Sequence, residues 1–391
     1  MKTTPLRSRD VRERNEKLVL KLIYNQTGIS QSEISTITSL KPPTVFRIFT
    51  SLIEQGFIVE CSTDRVVTEK KGRKPSFFCV NADACYAIGL DFWWKSAAVL
   101  VSDFSGRPIY ENLVKFKAGI VAEKMMIQIE SLIRSAIQKS GVDERRIIGI
   151  GIGAPGVVDI EQGRVLKYPR AKGMANYSIK DRIGESFGVP VFVHNNCSVI
   201  ALSEYRYGKA KGQESMLAIL IRAGVGGAFI QDGMAFVNQS KTAMEVGHLS
   251  VDLKGRLCEC GARGCLETYL SEDAIMMELE KLGEEPTWKN LEELLGRKDR
   301  RIVKLMNRLG AILATAVGSL VNILNPEAVL IVSHNRFVSD FLVAMIQENL
   351  GKLAAVNHLA VVNVISEEYQ PTIACKGAAD LVFDHFLEVS G

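Results

Sequence analysis

From residue 85 onward the sequence alternates between short apolar runs rich in β-branched residues and longer amphipathic stretches, and this alternation limits the fold more than any other feature. Strands are expected at 86–91, 97–102, 147–153, 191–193, 216–222, 228–231 and 328–332. Helices are expected near 121–139, 198–207, 271–283, 300–324 and 336–349. Strands interleaved with helices at this spacing point to α/β layers. A strand–turn–strand unit with a glycine loop occurs twice, around Gly89 and around Gly224, which suggests two related lobes with a cleft between them. A chain of 391 residues exceeds one ordinary domain, so two or three are expected. The longest apolar stretch, 147–158, is short and broken by glycines. It therefore reads as a buried strand and turn, and no tract is expected to approach the length needed to span a bilayer. The N-terminus carries charges and lacks the apolar segment of a secretion signal, so a cytoplasmic location is expected.

Residues 14–80 follow a different pattern. Leu18, Leu20, Leu22 and Ile23 predict a first helix, and Gly28-Ile29-Ser30 breaks it. A short second helix is predicted at 31–37, with Ser30 as N-cap and Glu33 placed for a capping box. Pro42-Pro43 opens a third helix, where proline is tolerated because the first amides lack helical partners. Val45, Ile48, Phe49, Leu52 and Ile53 recur there at helical spacing and are expected to face the core. Two strands are predicted at 57–59 and 76–80, with a polar, basic loop over 65–74 between them. Three helices followed by a two-stranded basic wing is the order of a winged helix-turn-helix. Lys41, Thr44 and Arg47 then lie at the start of the helix that would enter a major groove. Arg47 suits a guanine edge or a phosphate. Residues 1–80 hold 14 Lys and Arg against 8 Asp and Glu, whereas the remainder holds 34 against 36. A basic module on a near-neutral body suggests a polyanionic partner for that module only. A helical dimerisation domain is the alternative reading.

Five of the eight cysteines, Cys61, Cys79, Cys85, Cys197 and Cys375, are scattered and read as reduced core residues. The other three cluster in Cys258-Glu259-Cys260-Gly261-Ala262-Arg263-Gly264-Cys265-Leu266-Glu267, shortly after Glu245-Val246-Gly247-His248. Three thiolates from Cys258, Cys260 and Cys265 with the imidazole of His248 suit tetrahedral zinc, and Gly261 and Gly264 let the chain turn tightly enough for the sulfurs to converge. Four protein ligands leave no open position, so such a zinc would be structural and a zinc enzyme is disfavoured. Ordinary buried thiols are the alternative.

Two glycine loops complete the motifs, Gly151-Ile152-Gly153-Ala154-Pro155-Gly156 and Gly224-Val225-Gly226-Gly227. Alone, each is as consistent with a tight turn as with a phosphate cradle. Taken with the Glu245–His248 and Cys258–Glu267 elements, they resemble the ROK family of repressors, open reading frames and sugar kinases, over about residues 85–390. The preceding module resembles the N-terminal winged helix that repressor members carry, and Gly72-Arg73-Lys74-Pro75 resembles their wing motif, adding Arg73 and Lys74 to the DNA-contact candidates. The resemblance implies an actin-like (ribonuclease H-like) fold of two α/β lobes: residues 1–80 as winged helix-turn-helix, 85–195 with 375–391 as first lobe, and 196–374 as second lobe with the zinc motif. It also implies a homo-oligomer, dimer or tetramer, with a sugar in the cleft. By resemblance the sugar contacts fall on Gly156, Asn195, Asn196, Glu245, His248 and Glu267. Carboxylates and amides are the groups that pair with sugar hydroxyls.

The kinase pattern is broken at four places. Kinase members carry an aspartate as catalytic base where this chain has Asn196, and an amide cannot take a proton. Their first phosphate loop, Asp-x-Gly-Gly-Thr, reads Asp91-Phe92-Trp93-Trp94-Lys95 here, and two indoles should keep phosphate oxygens from the backbone amides. Ala223 replaces a hydroxyl residue before the second loop, and Val332-Ser333-His334 stands where a glycine pair is usual. The expected function is therefore a non-enzymatic, sugar-responsive regulator that binds operator DNA. It would repress a carbohydrate operon until a small sugar of the xylose or glucose class releases it. An ATP-dependent sugar kinase, possibly bifunctional, is the alternative.

Overall fold

The computed structural model describes residues 8–26, 28–62, 76–353 and 362–388. The N-terminal module runs α1 (Ser8–Asn25), β1 (Ile29–Ser30), α2 (Gln31–Thr38), α3 (Pro42–Glu54), β2 (Ile58–Cys61) and β3 (Phe77–Val80), with its small sheet ordered β1-β3-β2. Ser30 caps α2 as the sequence predicts: its backbone N–H donates to Glu33 Oε2 at 2.8 Å and its Oγ accepts from the Glu33 amide. Val45, Ile48, Phe49 and Leu52 are buried, but Ile53 is 45% exposed. The expectation for Ile53 is corrected because it sits one position past the buried stripe of α3, on the flank turned toward solvent. Cys61 and Cys79 form a disulfide between β2 and β3, so these two are not the free core thiols that their apolar surroundings suggested. Antiparallel pairing brings the two strands together and sets the sulfurs on one face. The basic loop, with Arg73 and Lys74, lies outside the described residues.

The first of two five-stranded sheets is ordered β11-β7-β4-β5-β6. It is built from β4 (Tyr86–Trp93), β5 (Ser96–Asp103), β6 (Pro108–Lys115), β7 (Ile147–Ala154) and β11 (Val191–Asn195), with α4 (Ala122–Ser140) packed against β5 and β6. The antiparallel ribbon β8 (Val157–Asp159), β9 (Arg164–Lys167), β10 (Tyr177–Ser178) and helix α5 (Ile179–Phe187) fill the connection from β7 to β11. Helix α6 (Asn196–Tyr207) then leads to the second sheet, ordered β14-β13-β12-β15-β16, from β12 (Ser215–Ile221), β13 (Val225–Gln231), β14 (Met234–Ala235), β15 (Ala328–Ser333) and β16 (Asn363–Glu368). Its helices are α7 (Glu267–Leu270), α8 (Glu272–Lys281), α9 (Trp288–Gly296), α10 (Arg300–Leu324) and α11 (Arg336–Leu353). The last helix, α12 (Pro371–Phe386), returns to pack on β4, β5 and β7.

One expectation about membranes is corrected. By length and composition α10 is long and apolar enough to cross a bilayer. Its apolar face is spent inside the protein, where Leu305, Leu309, Leu313, Val317 and Val321 join the core above the second sheet. That core and its counterpart under the first sheet are separate clusters, and the cleft lies between them.

Candidate functional site

The C-terminal ends of β7 and β11, the β12–β13 turn and the segment 244–277 enclose a cleft of about 430 Å³. Clefts at strand ends are where α/β sheets commonly hold ligands. Gly156, Asn195, Asn196, Glu245, His248 and Glu267, drawn from four separate stretches of sequence, all line it. Asn195 ends β11 and caps α6: its Oδ1 accepts from the Cys197 amide and its Nδ2 donates to the Gly156 carbonyl, both at 2.8 Å. Part of its hydrogen-bonding capacity thus fixes the Gly156 loop, and Asn196 follows as the first residue of α6. Glu245 precedes a short helical turn that ends at His248. Glu267 opens α7 and accepts from the Val225 amide at 3.3 Å, so its carboxylate lies over the second glycine loop. The Glu245 carboxyl is held above its ordinary range, chiefly because the cleft walls strip it of water and Glu267 repels its charge, against the pull of His248 and Lys167.

Beside the carboxylates, Cys258 Sγ lies 3.6 Å from His248 Nδ1 and Cys260 Sγ lies 3.6 Å from Cys265 Sγ. One ligand atom from each of the four residues falls within 4.8 Å of all the others. Bond lengths of about 2.0 Å to nitrogen and 2.3 Å to sulfur give tetrahedral edges of about 3.5–3.8 Å, so the donor set fits zinc in kind and in spacing. The backbone explains the convergence. Gly261 and Gly264 have φ of +94° and +68°, and a side chain on Gly264 would run into the Asp252 carbonyl. With Nδ1 directed at Cys258 Sγ, His248 also lines the cleft.

The other end of the cleft is filled. Trp93 stacks on His334 with ring centroids 5.2 Å apart. The Arg222 guanidinium is sandwiched between Trp93 at 4.4 Å and Tyr369 at 4.0 Å. Tyr369 donates to Asp91 Oδ2 at 2.6 Å, and Arg222 stands 3.8 Å from the same carboxylate. The Trp94 amide, which a glycine-rich loop would turn toward phosphate, donates instead to the Tyr168 hydroxyl at 3.1 Å. Burial pushes Asp91 up to about 6 against the opposing pull of Arg222 and the Tyr369 hydrogen bond. Burial, then Arg222 and Lys95, push His334 down to about 3, so its ring stays neutral. Asp91 and Trp93 lie in β4 of the first sheet; Arg222, His334 and Tyr369 each directly follow a strand of the second. Sequence reasoning picked out Trp93 and His334 but missed Arg222 and Tyr369. The available signal was a charged residue closing the apolar run of β12.

In the N-terminal module, Lys41 and Arg47 are exposed and Thr44 is half-buried at the start of α3. Phe46, which the sequence did not single out, is 60% exposed on the same helix.

A two-lobed α/β body with a polar cleft, joined to a winged helix-turn-helix, defines the class of this protein. The ROK family model matches residues 87–385, and the MarR family model matches residues 13–59. The chain belongs to the ROK family. It is 30% identical to the xylose repressor of Caldicellulosiruptor bescii over 352 residues, covering 86% of this chain and 87% of the relative. It is 25% identical to the xylose repressor of Bacillus subtilis (strain 168), covering 97% of both chains. It is 24% identical to the DNA-binding transcriptional repressor Mlc of Escherichia coli K12, covering 94% and 93%. Among solved structures, a ROK family transcriptional regulator described as a homologue of the E. coli MLC protein superposes with a TM-score of 0.82 at 22% identity, over 97% of this chain and 98% of the other. The ROK hexokinase from Thermus thermophilus superposes with a TM-score of 0.65 at 23% identity, its chain matched over 99% of its length but covering 77% of this one.

Proposed function

We propose that this protein is a sugar-responsive transcriptional repressor, bound to operator DNA through its winged helix and released when a small sugar enters the cleft. The observation that carries this reading is the contrast within the cleft: its carboxylate and amide end stands open while its phosphate end is packed with Trp93, Arg222, His334 and Tyr369. An amide at Asn196 accepts and donates hydrogen bonds to a hydroxyl but cannot remove its proton, so the site binds without phosphorylating.

Gly156, Asn195, Asn196, Glu245, His248 and Glu267 hold the sugar. Zinc on His248, Cys258, Cys260 and Cys265 would keep His248 and the neighbouring carboxylates in place as a structural ion. Lys41, Thr44, Arg47, Arg73 and Lys74 contact the DNA. Residues 1–80 form the DNA-binding domain, 85–195 with 375–391 the first lobe and 196–374 the second, in a cytoplasmic homodimer or homotetramer that presents paired winged helices. The names of the relatives favour xylose as the first sugar to try, and glucose, the other class the sequence leaves open, is the second.

The test is fluorescence anisotropy on DNA from upstream of the protein's own gene, with and without each sugar and at several salt concentrations. Sequence-selective binding that weakens with salt and with one sugar is the expected result. Binding no tighter than to random DNA would overturn the regulator.

A further inference from the structure

We propose that α6 and α12 form a mechanical relay from the cleft to the winged helix, terminating in a polar junction of Tyr24, Arg206, Tyr207, Asp380 and Asp384. The inference rests on the regulator reading above and names how that site would be read out.

One end of α6 is in the cleft. Asn195 caps it and Asn196 is its first residue, so a ligand that engages either amide acts on the helix start. Twelve residues later, about 18 Å along the axis at 1.5 Å per residue, α6 ends in Arg206 and Tyr207. Arg206 pairs with Asp380 at 3.2 Å and with Asp384 at 2.5 Å, and the Tyr207 hydroxyl donates to Asp380 Oδ1 at 3.0 Å. Both aspartates belong to α12.

Helix α12 cannot shift independently of its neighbours. A methyl group on Gly377 would strike the Val199 carbonyl of α6, while methyls on Gly89 of β4 and Gly151 of β7 would strike the carbonyls of Cys375 and Ala378. Backbone thus lies against backbone both toward α6 and toward the adjacent strands β4 and β7, and close-packed elements transmit displacement rather than absorb it. Further along, Val382 and Phe383 of α12 and Leu387 just beyond it share one continuous core with Val19, Leu20 and Ile23 of α1 and with Phe49 and Leu52 of α3. The core of the winged helix is therefore continuous with α12, which completes it.

Tyr24, on α1, sets the register of this contact. Its ring packs on Phe104 and Phe383 at 5.5 and 5.9 Å. Its buried hydroxyl faces that of Tyr207, next to Gly106, without a hydrogen bond of good geometry. Apolar surfaces alone can slide. A buried cluster with directed bonds has discrete arrangements, and an unmatched hydroxyl marks a place where a second arrangement gains a bond. In that second arrangement the Tyr24 hydroxyl donates into the Asp380 cluster and α1 moves with it.

The experiment compares wild type, Tyr207→Phe and Tyr24→Phe, each of which loses one oxygen and keeps its ring. D-xylose and D-glucose are the probes. Sugar affinity is read by calorimetry, and DNA affinity by anisotropy with and without sugar. Expected in both variants are near-unchanged sugar binding and DNA binding, with the sugar-induced drop in DNA affinity reduced by about fivefold or more. A full drop in both variants overturns the relay. If neither sugar moves the wild type, the sugar-release reading fails, and the relay is judged by hydrogen exchange. Asn195→Ala, which removes the cap of α6, should alter protection of the α1 amides in the wild-type background but not beside Tyr207→Phe. Equal changes in both backgrounds, or none in either, overturn it.

Discussion

The two ends of the cleft have been treated differently by the sequence. At one end Glu245, His248 and Glu267 converge beside a four-ligand cluster and leave space for a polar guest. At the other, Asp91 is enclosed by Trp93, Arg222 and Tyr369, and a charged nucleotide tail would have to displace two cation–π contacts and a stacked indole. The fold shared with the ROK hexokinase thus persists here with side chains packed across one end of its cleft. The reading lobe and the reporting module are meanwhile fastened together through α12, so what remains is a receptor attached to a DNA-binding head.

The largest effect is expected at the cluster that holds the open end in shape. Replacing Cys265 with serine, or stripping metal with a chelator, should lower sugar affinity by about 100-fold and loosen the loop around Gly264, seen by calorimetry and by metal analysis. A metal-free protein that binds sugar as before would separate the two ends less sharply than drawn here. Next, Glu267→Ala should cost about 1.5–3 kcal/mol of sugar binding, the range for hydrogen bonds to a charged group, with DNA affinity unchanged in the absence of sugar. The complementary change, Arg47→Ala, should weaken operator binding by about 1–3 kcal/mol if it reads a base, leaving calorimetric sugar affinity alone.

A smaller effect concerns Asp91. Its carboxyl is raised to about 6 when folded, so between its unfolded value and that pH the folded state holds more protons than the unfolded one. Its contribution therefore makes stability fall as pH rises through that window, despite Arg222 and the Tyr369 hydroxyl. Asp91→Asn should flatten that part of a denaturation-versus-pH profile. The smallest change is expected from Asn196→Asp. Restoring a carboxylate at the base position while the phosphate end stays packed should leave ADP release at background.

Much of this was legible in the sequence because it is local. The Ser30–Glu33 capping box, the Pro42-Pro43 helix start and the spacing of Cys258, Cys260 and Cys265 are each set within a few residues. Helix α6 starts two residues before its apolar pattern because Asn195 supplies the cap. Strands β6 and β16 were missed. The first is an edge strand exposed along most of its length, and the second is a polar edge strand, Asn363–Glu368, so neither has the buried run that marks a central strand. The Arg222 cluster was hidden for another reason: its members are scattered between residues 91 and 369, and only the topology brings them together. Ile53 shows the reverse error, an apolar residue at plausible spacing that points outward. The disulfide between Cys61 and Cys79 depended on strand pairing across a long loop, which spacing alone does not reveal.

The most direct measurement is a paired calorimetric titration of the full chain, first with D-xylose and D-glucose, then with a non-hydrolysable ATP analogue, alongside an assay for sugar-dependent ADP. Binding of one sugar, no heat from the nucleotide and no ADP is the predicted result. Saturable nucleotide binding with sugar-dependent ADP release would contradict the closed phosphate end and return the chain to the kinases.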